Sequence, residues 1–224
     1  MLNKTPQLFF VLAFLFSIFS ANKKCLAQNI EITFIGNCAF KIKLDSLILF
    51  SDFPYESGAY GYMKYDFKDV YQDEKGIALF THTHKDHFDY NLLKLTKLEK
   101  FGPSITKKQI AQLKSYGLEL EAIRTKHKWS TNHHSFNLKW QKRSLYFTGD
   151  TEGYEGLLNQ KSFDILFITP WLLKKLVNDG HKIEANKIII YHHQYNEKDI
   201  EQREIKSYCN CTLIIPKQNA KYVL

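Results

Sequence analysis

Several features are scarce in this chain, and each absence narrows the class of protein. The 224 residues contain no internal repeat, no low-complexity tract and no flexible linker, which predicts one domain rather than an array of modules. The uncharged apolar run at residues 8–19 has twelve residues, whereas a membrane-spanning helix needs about 20. We therefore expect no transmembrane span in the mature chain.

Cysteine is also rare, with four residues in the whole chain. Beyond Cys25 the sequence holds Cys38, Cys209 and Cys211, an odd number that cannot pair completely within one molecule. The Cys-x-Cys spacing lacks the second cysteine pair that a zinc knuckle requires. We interpret Cys209 and Cys211 as structural residues, with a disulfide to Cys38 left open, and Cys38 as a packed residue rather than a nucleophile.

The amino-terminal segment has the pattern of a secretory signal. Lys4 precedes the apolar run, and the small residue Ala27 follows it, which predicts a signal peptide at residues 1–27. Cleavage would leave residues 28–224, that is 224 − 27 = 197 residues, enough for a single domain with a sizeable core. This pattern predicts a periplasmic or secreted protein, with an uncleaved amino-terminal anchor as the alternative.

Charge narrows the choice of partners only modestly. The formal net charge is +8, and it becomes +5 without Lys4, Lys23 and Lys24. This excess is compatible with an anionic substrate or a membrane surface, but a lysine-rich solvated exterior is the usual explanation. We expect no nucleic-acid partner from the charge alone.

Runs of apolar residues alternate with polar turns along the mature chain and predict both strands and helices. Strands are predicted at residues 30–35, 40–44, 47–50, 77–81, 121–125, 135–140, 144–147, 164–169, 187–191 and 212–215. Helices are predicted near residues 63–71, 91–98, 106–116 and 197–208. The alternation indicates an α/β or α+β protein.

The richest stretch in chemical terms is residues 81–89, which hold three histidines and two aspartates directly after an apolar run. In an extended segment residues i and i+2 point the same way, so His82 and His84 can bind one ion. Asp86 and His87 then turn towards a second position. Imidazole and carboxylate ligands suit zinc, manganese or iron. A polar turn whose histidines cap the following helix is the alternative interpretation.

The spacing His-x-His-x-Asp-His resembles the ligand motif of the metallo-β-lactamase superfamily. Gly149-Asp150 resembles that superfamily's Gly-Asp motif, whose carboxylate bridges two metals. Residues 32–40 resemble the opening of a compact branch that includes ascorbate-lactonase-like and N-acyl phosphatidylethanolamine phospholipase D-like hydrolases. The resemblance implies a single-domain, four-layer αββα sandwich.

Two positions of the implied metal site have more than one candidate. For the last ligand we favour His193, with His192 as a substitute or substrate contact. For the third histidine of the first metal we favour His127, and place His133 and His134 at the pocket mouth unless one of them is the ligand. The implied metal ligands are His82, His84, Asp86, His87, His127, Asp150 and His193.

The resemblance implies an exported metal-dependent hydrolase that uses a metal-bound hydroxide on an ester, lactone, amide or phosphodiester. Asp86 would be both a ligand and the catalytic proton acceptor. The implied cofactor is a pair of divalent ions, zinc first and manganese or iron as alternatives, and the substrate a small or lipid-like molecule. A non-catalytic scaffold of the same fold, or a phosphodiesterase or nuclease-like member, is the alternative.

Overall fold

The computed structural model describes residues 29–193 and 208–224, and these form two six-stranded mixed sheets. The predicted signal peptide and nearly all of the predicted helix at residues 197–208 lie outside the described residues. The first sheet, in spatial order, consists of β12 (Lys221–Val223), β1 (Ile30–Gly36), β2 (Ala39–Leu44), β3 (Leu47–Ser51), β4 (Lys75–Leu79) and β5 (Lys97–Phe101). The second consists of β11 (Thr212–Ile214), β10 (Ala185–Ile190), β9 (Phe163–Ile168), β8 (Arg143–Phe147), β7 (His134–Trp140) and β6 (Leu118–Arg124).

Five short α-helices accompany the sheets in the described part of the chain. They are α1 (Phe67–Val70), α2 (Tyr90–Leu93), α3 (Lys107–Leu113), α4 (Glu155–Leu158) and α5 (Pro170–Asn178). Within the described ranges, no helix has both the length and the apolar character that crossing a bilayer requires.

The two sheets pack face to face around the main apolar core, and β9 shows why its sequence is apolar throughout. Phe167 points between the sheets, into the cluster that holds Phe34 of β1. Its neighbours Leu166 and Ile168 point to the opposite face, where they pack against Leu172 of α5. A strand covered on both faces must be apolar at successive positions. The layers confirm the predicted four-layer αββα sandwich.

Strand direction decides where the loops with the predicted ligands lie. In the first sheet β3 runs parallel to β4, and β1 shares that direction because β2 is antiparallel to both of its neighbours. In the second sheet β8, β9 and β10 are parallel, and β6 shares their direction. Backbone hydrogen bonds join the two sets of strand ends, from His192 N–H to the Asn37 carbonyl at 2.8 Å and from His134 N–H to the Thr81 carbonyl at 3.0 Å. Because β5 is parallel to β4 and β11 is parallel to β10, the carboxyl ends of nine strands lie along one edge.

The structure differs from the sequence predictions in several local features. The helix expected at residues 91–98 is only α2, capped by the Asp89 side chain, and the chain then enters the unpredicted strand β5. Helix α5 and strand β12 were also not predicted. Cys209 and Cys211 form a disulfide with each other, whereas Cys38 is a buried free thiol, so the alternative of a disulfide to Cys38 is wrong.

Candidate metal centre

Three histidines form the first group of ligand atoms at the shared edge. His82 and His84 lie in the loop after β4, and His127 lies between β6 and β7. One nitrogen from each lies within 4.8 Å of the other two, and His127 Nε2 is 3.2 Å from His84 Nδ1. The Nε2 atom of His82 is buried and has no hydrogen-bond partner among the described residues. Burial lowers the pKa of His82 far below its usual value, so the ring is neutral and offers one nitrogen lone pair.

A second group adjoins the first and consists of Cys38, His87, Asp150 and His192. Asp150 Oδ2 is 3.1 Å from His87 Nε2 and 3.0 Å from His192 Nε2. Asp86 Oδ2 is 3.7 Å and 3.3 Å from the same two nitrogens. Tetrahedral zinc with bonds of about 2.0–2.1 Å to nitrogen or oxygen holds its ligand atoms about 3.3–3.4 Å apart. The spacing of these atoms therefore suits a shared cation.

The charges in and beside the second group also favour a bound cation. Asp86 and Asp150 are buried, and in the described ranges their ion-pair partners are histidines alone. Burial opposes the charge of Asp150, but His192 and His87 hold its pKa well below the usual range. Burial likewise opposes the charge of His87 and His192, but Asp150 raises the pKa of both. Buried charges are normally paired or bound to metal, so these carboxylates require positive charge at this position.

Asp52 and Thr81 fix the orientation of His87 from behind. Asp52 Oδ1 accepts the Thr81 backbone N–H at 2.8 Å, and Asp52 Oδ2 is 3.1 Å from His87 Nδ1. Burial raises the pKa of Asp52, and its contacts with His87 and Thr81 oppose that rise. A carboxylate at Nδ1 places the ring hydrogen there and turns the Nε2 lone pair towards the second group. The predicted site residues did not include Asp52, which directly follows the end of β3.

We expect Asp52→Asn to lower metal affinity about 10–100-fold, because the amide no longer fixes the His87 tautomer. Asp45→Asn is the matched control, since Asp45 also has a positive φ of 54° but lies exposed in the β2–β3 turn. Competition with a chromophoric chelator measures both affinities. Equal affinity in the two variants would exclude this role for Asp52.

From the sequence we place His133 at the pocket mouth, but the structure places it in the interior. Its ring is fully buried, and its Nε2 accepts the Asp150 backbone N–H at 2.8 Å. Its Nδ1 is 2.6 Å from Thr125 Oγ1, so both ring nitrogens are occupied. Burial lowers the pKa of His133 to about 3, which keeps the ring neutral. His133 is therefore a positioning residue for the Gly149–Asp150 turn, and His134 lies outside both groups with its ring stacked on Phe136.

The strand-end histidines also differ from the prediction. The structure places His192, rather than the favoured His193, in the second group, while the His193 ring stacks on Phe34 at 5.8 Å. The reason is local: His192 has a positive φ of 56°, so the alternation of β10 ends before it. Asn37 was also missed, although its side-chain amide donates to the Asp86 carbonyl at 3.0 Å and to Asp86 Oδ2 at 3.2 Å.

Aromatic side chains surround the second group. The Tyr62 and Trp171 rings lie 4.4 Å and 5.0 Å from the His192 ring. Trp129 is strongly exposed, and its carbonyl oxygen is 3.4 Å from His84 Nε2. Lys128 lies over the Trp129 ring at 5.6 Å. Aromatic surface and positive charge thus accompany the ligand groups.

Comparison with known proteins agrees with the fold. No protein-family model matches the sequence, and no curated protein matches it. Igni18, a metallo hydrolase from Ignicoccus hospitalis, superposes with a TM-score of 0.63 at 10% identity, over 88% of this chain and 98% of that one. YhfI from Bacillus subtilis, a metallo-β-lactamase fold protein, gives 0.58 at 12% identity, over 88% and 99%. CmlA, a diiron β-hydroxylase from Streptomyces venezuelae, gives 0.56 at 11% identity, over 87% and 54%.

The arrangement of the two sheets and their helices identifies the fold of this protein. Two mixed sheets with helices on their outer faces are the architecture that this chain shares with these structures at very low identity. This chain has the metallo-β-lactamase fold.

Proposed function

We propose that this protein is a hydrolase that holds two divalent cations, one in each ligand group. The carrying observation is the pair of adjoining groups, with His82, His84 and His127 in one and His87, Asp150 and His192 in the other. The buried Asp86 Oδ1 atom, without a hydrogen-bond partner among the described residues, supports the proposal because such an oxygen is costly to leave unpaired. Structures that share the fold and are described as metal-dependent hydrolases support it further.

Asp150 is the residue that we propose would serve both cations. Its charge acts on the pKa values of His82 and His127 in the first group, as well as on those of His87 and His192 in the second. A pair of divalent ions supplies Lewis acidity and a bound water of lowered pKa. His133 holds the Asp150 backbone, and Asn37 holds Asp86, so both carboxylates keep fixed positions.

Asp86 is the proposed proton acceptor. Its Oδ2 atom lies beside the second group, 3.3 Å from His192 Nε2, and Oδ1 would accept a proton from the attacking water or return one to the leaving group. A positioned carboxylate that is held at one oxygen by Asn37 can serve in this way without moving. Metal ligand and proton acceptor are the two roles that the family resemblance implies for Asp86.

The proposed substrate is a small or lipid-like ester, lactone, amide or phosphodiester with an apolar portion. The Tyr62 and Trp171 rings beside His192 offer apolar contact next to the reacting bond, and Lys128 offers a cation for an anionic group. Zinc is the proposed metal, with manganese or iron compatible with the same oxygen and nitrogen donors. Export through the signal-like segment at residues 1–27 is part of the proposal.

The decisive experiment measures metal content and turnover on one preparation. We expect about two equivalents of divalent metal per chain after purification without chelator. Turnover is then followed on nitrocefin, lactones, aryl esters and bis-aryl phosphodiesters. Absence of metal would exclude the proposal, whereas two equivalents of metal with no turnover on any substrate would favour a metal-binding protein without catalysis.

We expect His84→Ala to lower the metal content and to abolish turnover, because it removes one of three imidazoles from the first group. His181→Ala is the control: its ring packs against Tyr154 at 4.6 Å and belongs to neither group. Elemental analysis and the substrate panel report on both variants. Equal loss in the two would show that the ligands have been assigned to the wrong histidines.

A further inference from the structure

We propose that Cys38 is a thiolate ligand of the cation held by the second group. This inference rests on the proposed metal centre and names one more donor for it. It departs from the interpretation of Cys38 as a packed residue that the sequence suggested.

The position of the sulfur is the first argument. Cys38 Sγ lies 3.3 Å from His87 Nε2 and 4.0 Å from Asp150 Oδ1. It shares a group with His87, Asp150 and His192 in which every ligand atom is within 4.8 Å of the others. Zinc bonds of about 2.3 Å to sulfur and 2.0–2.1 Å to nitrogen bring these two donors about 3.5 Å apart in a tetrahedron. The sulfur and the imidazole nitrogen are thus already at the separation that a common cation would impose.

The backbone explains why this cysteine faces the site. Cys38 follows Asn37, which has a positive φ of 52°, in the tight turn between β1 and β2. The register between these strands shifts between Phe34 and Gly36, which bends the end of β1. The Asn37 carbonyl accepts the His192 N–H at 2.8 Å, so the turn is attached to the loop that carries another member of the group.

An ordinary buried cysteine behaves as a small hydrophobe, and one face of Cys38 does pack in the apolar core. Three polar donors on its other face, however, are not the surroundings of a hydrophobe. The buried Asp86 Oδ1 atom beside the group has no hydrogen-bond partner among the described residues, and this independently favours a cation at this position. Cys38 is also free to bind, because the disulfide in the described part of the chain joins Cys209 to Cys211.

A thiolate would make the two cation positions chemically unequal. The first group offers imidazole nitrogen alone, whereas the second would add sulfur to nitrogen and oxygen. Sulfur ligands favour zinc and other thiophilic ions over manganese. The second position should therefore be the more selective of the two for zinc.

Cobalt substitution tests the inference on the full chain. Cobalt(II) takes the place of zinc, and a thiolate bound to it produces a sulfur-to-cobalt charge-transfer absorption in the near ultraviolet. We expect this absorption in the wild type and its loss in Cys38→Ser, with cobalt content measured alongside. The double variant Cys209→Ser/Cys211→Ser is the control: its cysteines belong to neither ligand group, so it should retain the absorption.

The outcomes distinguish failure of the proposed Cys38 ligand from failure of the proposed metal centre. Cobalt bound by the wild type without charge transfer, or charge transfer that persists in Cys38→Ser, overturns thiolate ligation and leaves the metal centre standing. Failure of the wild type to bind cobalt overturns both. If Cys38→Ser does not fold, X-ray absorption of the wild-type zinc protein answers instead: a sulfur neighbour at about 2.3 Å supports the ligand, and a shell of nitrogen and oxygen alone excludes it.

Discussion

Asp150→Asn is expected to release one of the two proposed cations and to lower turnover on the order of 10²–10³-fold, the scale on which loss of one strong electrostatic contact lowers kcat. Two divalent cations a few ångströms apart repel each other, and the anionic carboxylate offsets that repulsion. The amide has the same size but no charge. It would also direct an N–H group towards His87 Nε2 or His192 Nε2, which lie 3.1 Å and 3.0 Å from Asp150 Oδ2.

Asp66→Asn is the control for this change. Asp66 caps α1 by accepting the Lys68 N–H, and asparagine caps a helix about as well as aspartate does. Metal stoichiometry and turnover of the same substrate should therefore be unchanged in Asp66→Asn. Two bound cations and undiminished turnover in Asp150→Asn would refute the dinuclear site.

Gly149→Ala is expected to disrupt the same site through the backbone. Gly149 has a φ of +60°, and a Cβ atom there would lie 2.5 Å from His133 Nε2. The left-handed conformation costs about 1–2 kcal/mol for an alanine. The clash adds to this cost, because His133 must move away from the Asp150 N–H that it accepts. We expect a lower free energy of unfolding and weaker metal binding.

Gly117→Ala is the control that separates the backbone cost from the clash with His133. Gly117 has a similar φ of +73°, but a Cβ atom there would meet nothing within 4 Å. The Gly117→Ala variant should lose only the part of the free energy of unfolding that comes from the backbone, and it should still bind metal. Denaturant unfolding of the metal-free variants, together with their metal stoichiometry, makes the comparison. Equal losses of stability and equal metal content would mean that His133 does not position Asp150.

Most strands could be predicted, because buried parallel strands are continuous apolar runs that stand out in the sequence, whereas the four layers came from the family resemblance. The helices were less predictable. Leu95 and Leu98 looked like one face of a helix, yet Leu98 belongs to β5, where it pairs with Gly76 of β4. Helix α5 buries Leu172 and Leu176, but it directly follows the apolar strand β9, and the two runs are hard to separate without the structure.

The candidate site was predictable where ligands are close in sequence and unpredictable where a turn decides orientation. His82, His84 and Asp86 follow β4 directly, and their spacing alone indicates a metal site. The choice between His192 and His193 depends on the positive φ of His192, which cannot be predicted from the alternation of residues along a strand. Asp52 and Cys38 reach the site through loops of the first sheet, so they become neighbours of His87 only in three dimensions.

The ligand groups take their members from both sheets, and this has a consequence for how the folded chain persists. Cys38 and Asp150 are 112 residues apart, and His87 and Asp150 are 63 apart. Contacts between such distant residues can form only after the sheets have docked, which places them late in folding. An interaction absent from the transition state slows unfolding and leaves the folding rate almost unchanged. Cations at this edge would therefore set the lifetime of the native state rather than the speed at which it forms.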